Sequence, residues 1–212
     1  MDALRFGLRA FVAIFPIVNP FSSAILLLAL TPGDTNERRR EQALRAVLFM
    51  TAILVVAYFA GSAILNFFSI TRPALVLAAG VLVCRSGWRA LQVTDRLSPE
   101  AREEGLHKVD VSLTPIGMPM LAGPGTISVV IGLSADAAGV ASNTAALAAI
   151  LAVSLVSYAV LAAAPAVSRR LGRTGEAAIS KVMGLITLAV GIQFLINGIT
   201  MVVREAISAR PA

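Results

Sequence analysis

Two proline-rich stretches decide the fold: residues 15–23, Phe-Pro-Ile-Val-Asn-Pro-Phe-Ser-Ser, and residues 114–126, Thr-Pro-Ile-Gly-Met-Pro-Met-Leu-Ala-Gly-Pro-Gly-Thr. Each lies inside an apolar run that is long enough to cross a membrane as a helix. Proline removes a backbone donor and its ring clashes with the preceding turn, so several prolines in one span predict a broken helix. Broken backbone at membrane depth is tolerated only where it is buried in protein or lines a cavity.

The composition places the whole chain in a membrane. Of 212 residues, 57% are hydrophobic and 14% are charged, and the mean hydropathy is +0.82. A soluble domain carries about 25% charged residues, so a water-soluble globule is excluded. Disorder is excluded as well, because it requires low hydrophobicity. The single cysteine, Cys84, rules out an internal disulfide and a cysteine metal cluster.

Six apolar segments have the length of a membrane span, about 20 residues. No Asp or Glu lies inside any of them. They are predicted at Ala10–Leu30, Ala43–Phe68, Pro73–Leu91, Val111–Leu133, Thr144–Val167 and Ile179–Val203.

The basic residues predict the orientation of these spans. Thirteen of the eighteen Lys and Arg residues lie in or beside the loops that follow segments one, three and five. The positive-inside rule therefore puts those loops in the cytoplasm and both termini outside. The net charge of +6 is then a topology signal and not a nucleic-acid site. We expect Arg85 and Arg89 to reach the membrane interface from the end of segment three.

The two halves of the chain resemble each other. A shift of 104 residues superposes three pairs: Pro20 on Pro124, Gly80 on Gly184, and Gly87 on Gly191. Because each half has three spans, the second half must enter the membrane from the opposite side. The predicted fold is all-α and polytopic, with six transmembrane helices in two inverted three-helix repeats, an architecture common in secondary transporters.

The predicted organisation has three parts. Residues 1–93 form the first repeat, residues 94–110 a polar cytoplasmic connector, and residues 111–212 the second, inverted repeat. Gly184, Gly191 and Gly198 recur every seven residues, which indicates close helix packing and not ligand binding.

The two breaks are the candidate site. Asn19-Pro20 and Gly123-Pro124 each have the form of an N-cap followed by proline at the first helical position. Two half-helices would then point their positive ends toward each other near the midplane and bind a carboxylate or another small anion. The alternative is that the prolines only kink helices for packing. The predicted substrate-binding residues are Asn19, Pro20, Ser22, Ser23, Gly123, Pro124, Gly125, Thr126 and Ser128, with Gln193 and Asn197 in a second rank.

The sequence lacks the residues that catalysis, metal binding and nucleotide binding require. No acidic group lies in a span, the only histidine is His107 in the connector, and no metal-binding pattern or phosphate-binding glycine motif is present. We therefore expect no catalytic residues, no metal and no cofactor, so the protein is predicted not to be an enzyme.

The motifs together resemble those of the MarC family of bacterial inner-membrane proteins. The resemblance rests on residues 16–20 and 118–128 and on the last helix from Met183 to Ile199. It implies a multi-pass protein of the bacterial inner membrane and a transporter of small neutral amino acids such as glycine and alanine. Ser22 departs from the pattern, since the resemblance implies glycine two residues after the first break.

The sequence thus predicts a secondary transporter of a small neutral amino acid or similar metabolite that works by alternating access. The expected partners are the substrate, the lipid bilayer and a coupling ion, Na⁺ or H⁺, with no nucleic acid. Homo-oligomerisation stays open. The alternative function is a non-transporting membrane scaffold or regulatory protein.

Overall fold

The computed structural model describes residues 2–92 and 110–208, and these residues form helices and short connections without a strand. The predicted connector, apart from Asp110, and His107 within it lie outside the described residues. The helices are α1 Ala3–Val18, α2 Pro20–Leu30, α3 Asn36–Phe67, α4 Arg72–Leu91, α5 Ser112–Leu121, α6 Pro124–Asp136, α7 Gly139–Ala162 and α8 Ala164–Ser208.

These elements supply five or six membrane spans within the described part of the chain. Five helices or joined helices are long and apolar enough to cross a membrane, with α1 and α2 together counting as one. Helices α5 and α6 make a sixth if they are taken as one span, which bends by 60° between them. The predicted count of apolar segments is therefore confirmed to this extent.

Both predicted breaks are present. Between α1 and α2, Asn19 adopts the left-handed conformation, with φ 45° and ψ 67°. Between α5 and α6, Gly123 has extended backbone and Pro124 begins the new helix. Pro16 does not break its helix and lies inside α1. It stands in the last turn, where few helical hydrogen bonds follow it.

Helix α5 is wider than an α-helix. Its turns close with bonds five residues back, such as Ala122 N–H to the Gly117 carbonyl oxygen at 2.9 Å. Thr114 and Met118 have extended backbone, and each precedes a proline. A residue before proline is pushed away from helical backbone, which explains why this segment is irregular.

One predicted boundary is wrong. The fifth segment was expected to run from Thr144 to Val167, but α7 ends at Ala162 and α8 begins at Ala164. Proline is well accommodated in the first turn of a helix, and Pro165 occupies the second position of α8. Helix α8 is interrupted at Gly172, which has φ 61°, and its membrane-spanning part is Thr174–Ser208.

Glycines bring α4 and α8 into backbone contact. A Cβ atom on Gly87 would lie 2.4 Å from the Leu188 backbone nitrogen, and one on Gly191 would lie 2.6 Å from the Cys84 backbone nitrogen. Neither position has space for a side chain. The predicted packing role of the glycine stripe is confirmed.

A buried amide joins the elements at one end of the bundle. The Gln42 side chain is only 4% exposed. Its Nε2 donates to Asp34 Oδ2 at 2.8 Å, and its Oε1 accepts from the Val111 backbone nitrogen at 3.1 Å. The α2–α3 turn, the start of α3 and the start of α5 therefore lie at the same end. At the other end, an ion pair between Arg72 and Asp136 joins the start of α4 to the end of α6.

Asp110 anchors the beginning of α5. Its Oδ1 accepts from the Ser112 backbone nitrogen at 2.8 Å, and its Oδ2 accepts from Arg45 Nη1 at 2.9 Å. Partial burial by itself would raise the pKa of Asp110, but the hydrogen bonds from Ser112 and the Arg45 guanidinium outweigh it and hold that pKa below its ordinary value.

Candidate functional site

A cavity of about 350 Å³ lies between the two helix breaks. Its walls come from the α1–α2 break, the C-terminal half of α4, the α5–α6 break and one residue of α8. The lining residues are Ile17, Val18, Asn19, Ser23, Leu82, Arg85, Ser86, Arg89, Ala90, Pro119, Met120, Gly123, Pro124, Gly125, Thr126 and Thr187.

At the first break, Asn19 serves as cap and as cavity wall. Asparagine tolerates the left-handed backbone required here better than most residues. Its Oδ1 accepts from the Ser22 backbone nitrogen at 3.3 Å, and its carbonyl oxygen accepts from Ser23 Oγ at 3.4 Å. The Asn19 side-chain nitrogen has no hydrogen-bond partner among the described residues, so it remains a donor at the cavity wall.

At the second break, the N-terminus of α6 lacks a side-chain cap. Gly123 occupies the cap position without a hydrogen-bonding side chain, and Pro124 has no N–H. The backbone amides of Gly125 and Thr126 are therefore donors in the first turn without a partner in the described structure. The positive end of the α6 dipole adds to their attraction for an anion. Thr126 Oγ1 donates back to the Leu121 carbonyl oxygen at 3.4 Å.

Thr187 ties α8 to the first break. Because Pro20 has no N–H, the Pro16 carbonyl oxygen four residues earlier lacks its helical donor. Thr187 Oγ1 lies 2.7 Å from this oxygen and 2.8 Å from the Met183 carbonyl oxygen. The threonine is 2% exposed. Its hydroxyl therefore satisfies a buried carbonyl that the break would otherwise orphan.

Arg85 and Arg89 give the cavity its charge. They are four residues apart, so they project from one face of α4. Among the described residues that line the cavity, these two guanidinium groups are the only ionisable side chains. A concave site lined by one sign of charge concentrates ions of the opposite sign. The site therefore favours anionic groups.

These arginines were missed as site residues by the sequence reasoning, which assigned them to the membrane interface. They lie two residues on either side of Gly87, which marks the face packed on α8. Because successive residues of a helix are rotated by about 100°, this spacing puts both arginines on the face of α4 opposite to the one packed on α8. The sequence does not show that this face borders a cavity.

Six of the nine first-rank predicted residues line the cavity together: Asn19, Ser23, Gly123, Pro124, Gly125 and Thr126. The others lie elsewhere. Pro20 is buried at the start of α2, and Ser22 Oγ lies 3.3 Å from Ser180 Oγ on α8. Ser128 Oγ donates to the Pro124 carbonyl oxygen at 2.9 Å.

The second-rank pair does not line the cavity. Gln193 Nε2 donates to Asn197 Oδ1 at 2.9 Å, and both side chains are exposed on α8. In the described ranges, no group of three or more histidine, cysteine, aspartate or glutamate side chains is arranged to hold a metal ion.

The comparisons agree on one family. The model described as MarC family integral membrane protein matches residues 4–203. The inner membrane protein MarC of Citrobacter koseri is 33% identical over an alignment of 217 residues, which covers 96% of this chain and 98% of the relative. That of Escherichia coli O1:K1 is 32% identical, covering 91% of this chain and 93% of the relative. No solved structure matches the chain significantly.

Proposed function

We propose a function from one premise, that this chain belongs to the MarC family of integral membrane proteins. The protein is a secondary transporter of a small carboxylate-bearing metabolite, and small neutral amino acids are the first class to test. The observation that carries the proposal is that both helix breaks line one cavity. A simple packing role for the prolines gives no reason for the two breaks to share a polar cavity.

An inverted repeat is part of the proposal, and the contacts between α4 and α8 support it. Suppose that a two-fold axis relates each residue of the first half to the residue 104 positions later. A contact between one residue in each half must then be matched by a second contact, in which the first residue is replaced by the one 104 positions later and the second by the one 104 positions earlier. Gly87 against Leu188 has such a partner in Gly191 against Cys84.

A second pair of contacts follows the same relation. A Cβ on Gly80 would lie 3.0 Å from the Leu195 backbone nitrogen, and one on Gly184 would lie 3.1 Å from the Leu91 backbone nitrogen. Such internal symmetry is what alternating access uses, because two pseudo-equivalent arrangements of the halves can exchange around one site.

The proposed location is the bacterial inner membrane, with both termini on the outer side. The relatives are named inner membrane proteins, and the bias of Lys and Arg supports the orientation. The end of the bundle that holds Gln42 and Asp110 would then face the cytoplasm.

The proposed binding mode places the substrate carboxylate on the Gly125 and Thr126 amides. Gly123 and Gly125 have no side chains that would keep a ligand from the backbone. The Asn19 amide nitrogen supplies a further donor from the opposite break. Arg85 and Arg89 draw the anionic end of the substrate into the cavity.

The shape of the cavity supports an inward-open state under this topology. Val83, whose Cγ2 lies 3.1 Å from where a Gly125 Cβ would stand, is near the middle of α4. Arg85 and Arg89 follow about 3 and 9 Å further along the helix. The cavity therefore extends from mid-membrane toward the end at which α4 finishes, the proposed cytoplasmic side.

Flux in proteoliposomes tests the proposal. Purified protein is reconstituted, and uptake of radiolabelled glycine and alanine is measured with a Na⁺ gradient, a pH gradient or neither, which also tests the coupling ion. We expect saturable flux above that of empty vesicles. Asn19→Ala and Gly125→Leu should abolish it while the purified variants remain folded, with the helical circular dichroism spectrum of the parent.

Ser128→Ala is the matched control, because Ser128 stands two residues beyond the cavity-lining segment of α6, which ends at Thr126, and its hydroxyl bonds only within that helix. This variant should retain flux. Normal transport by Asn19→Ala and Gly125→Leu would refute the binding site. No flux and no ligand-dependent thermal shift with any amino acid would refute the transporter and favour the scaffold.

A further inference from the structure

Helix α8 presents an amide pair on the surface of the bundle. The Gln193–Asn197 hydrogen bond uses one donor and one acceptor. The Gln193 side-chain oxygen and the Asn197 side-chain nitrogen have no other partner among the described residues. Both side chains are exposed.

The pair faces away from the rest of the chain. Successive residues of an α-helix are rotated by about 100°, so Gln193 and Asn197 lie about 160° and 120° round α8 from Gly191. Gly191 is packed against the Cys84 backbone. Gln193 lies near the centre of the apolar segment 179–203. Lipid tails offer no hydrogen bonds at that depth, so the open amide groups are costly there.

A heptad pattern runs through this surface. Spacings of four and three residues alternate along one exposed stripe, which we name the outer seam: Val182, Ile186, Ala189, Gln193, Ile196 and Thr200. This is the pattern with which parallel helices pack against each other, and a single polar layer in it fixes their register. The spanning window of α8 is only 17% buried, against 56% for that of Ala3–Leu30.

We propose that the outer seam is the interface of a homodimer, in which α8 packs in parallel against α8 of a second copy. An amide is both donor and acceptor, so it is complementary to the same amide of a second copy across a two-fold axis. In such a dimer Gln193 meets Gln193 of the other copy, and the open Gln193 oxygen accepts a hydrogen bond from the second copy's amide nitrogen, away from lipid. The inference does not depend on transport.

The first test removes the polar layer. Protein with a fluorescent N-terminal tag is reconstituted over a range of protein-to-lipid ratios, and the dimer fraction is counted by single-molecule photobleaching. Gln193→Leu should weaken dimerisation about tenfold, because it removes two symmetry-related hydrogen bonds between the copies and each is worth about 0.6 kcal/mol in a membrane. Ile192→Leu, an adjacent exposed position off the seam, should leave dimerisation unchanged.

The second test locates the interface. In a Cys84→Ala background, Thr200→Cys lies on the outer seam, whereas Ile199→Cys, which is 56% exposed in the parent chain, points about 100° away. Oxidation with copper phenanthroline in the bilayer should cross-link Thr200→Cys at least several-fold faster than Ile199→Cys. Monomers at every protein-to-lipid ratio would overturn the proposal. Equal cross-linking at the two positions, or an unchanged dimer in Gln193→Leu, would overturn it as well.

Discussion

Thr187→Val should destabilise the protein by about 1–3 kcal/mol, because it leaves the Pro16 carbonyl oxygen buried without a donor. The substitution keeps the shape of the side chain and exchanges only the hydroxyl for a methyl group. In the parent chain the Thr187 hydroxyl lies 2.7 Å from the Pro16 oxygen. Pro20 has no N–H to offer in its place, so no backbone group can take over.

The magnitude follows from which acceptor loses its donor. The Met183 carbonyl oxygen, 2.8 Å from the same hydroxyl, lies inside α8 and keeps its helical donor, the Thr187 backbone N–H. Only the Pro16 oxygen is orphaned. A single hydrogen bond between membrane helices has a net worth of about 0.6 kcal/mol on average, but a buried carbonyl left without any donor costs about 1–3 kcal/mol, and this larger cost applies to the Pro16 oxygen. The lower end applies where water in the cavity hydrates the oxygen.

The change is measured by unfolding the purified protein in detergent micelles with increasing amounts of a denaturing detergent. Circular dichroism reports the remaining helix content at each step. Thr200→Val is the matched control: the same substitution is made on the same helix, but the Thr200 hydroxyl donates only to the Ile196 carbonyl oxygen. Thr187→Ser, which keeps the hydroxyl, should retain most of the stability. Equal stability of Thr187→Val and Thr200→Val would refute the reasoning.

Three further predictions concern charge, packing and pH. Arg85→Gln should lower substrate affinity in proteoliposome uptake about tenfold, because it removes one of the two positive charges that draw the carboxylate into the cavity, whereas Arg204→Gln, outside the cavity, should not. Gly191→Ala should lower the unfolding free energy by about 1–3 kcal/mol through overpacking, whereas Gly132→Ala, with nothing within 4 Å of its added Cβ, should be neutral or slightly stabilising in the same titration. The pKa of Asp110 is lowered in the folded state, so its stabilising contribution is complete above about pH 4 and is lost as the pH falls below that value. The thermal unfolding temperature of Asp110→Asn should therefore depend less on pH in this acid range. A pH profile identical to that of the parent would contradict the assignment.

Much of the fold could be read from the sequence because membrane helices depend on local composition. The apolar runs and the positions of proline are local properties, so both breaks and most helix positions were predictable. The α7–α8 boundary was not, because Ala162, Ala163 and Ala164 continue the apolar run without a break. The irregular backbone of α5 depends on the two residues that precede prolines, Thr114 and Met118, and hydropathy does not register it.

The candidate site was predictable where it rests on backbone chemistry. Asn19 and Gly123 are recognisable as caps from the residue types alone. Ser22 was predicted at the site and Arg85 was not, because a side chain two residues from a break or near a helix end can face a cavity, a neighbouring helix or lipid. Only tertiary packing decides among these, and it places Ser22 beside Ser180 and Arg85 at the cavity.

The contact between α4 and α8 also constrains how the two halves of the chain can change over evolutionary time. Only glycine fits at position 87, because the Leu188 backbone lies where a side chain would stand. Only glycine fits at position 191, because the Cys84 backbone does the same there. A side chain added at either glycine would meet backbone atoms of the other helix, and these cannot be removed by a smaller side chain there, so only a shifted backbone could accommodate it. The halves are therefore not free to diverge independently along this contact, and an alignment of relatives should show glycine retained at both positions.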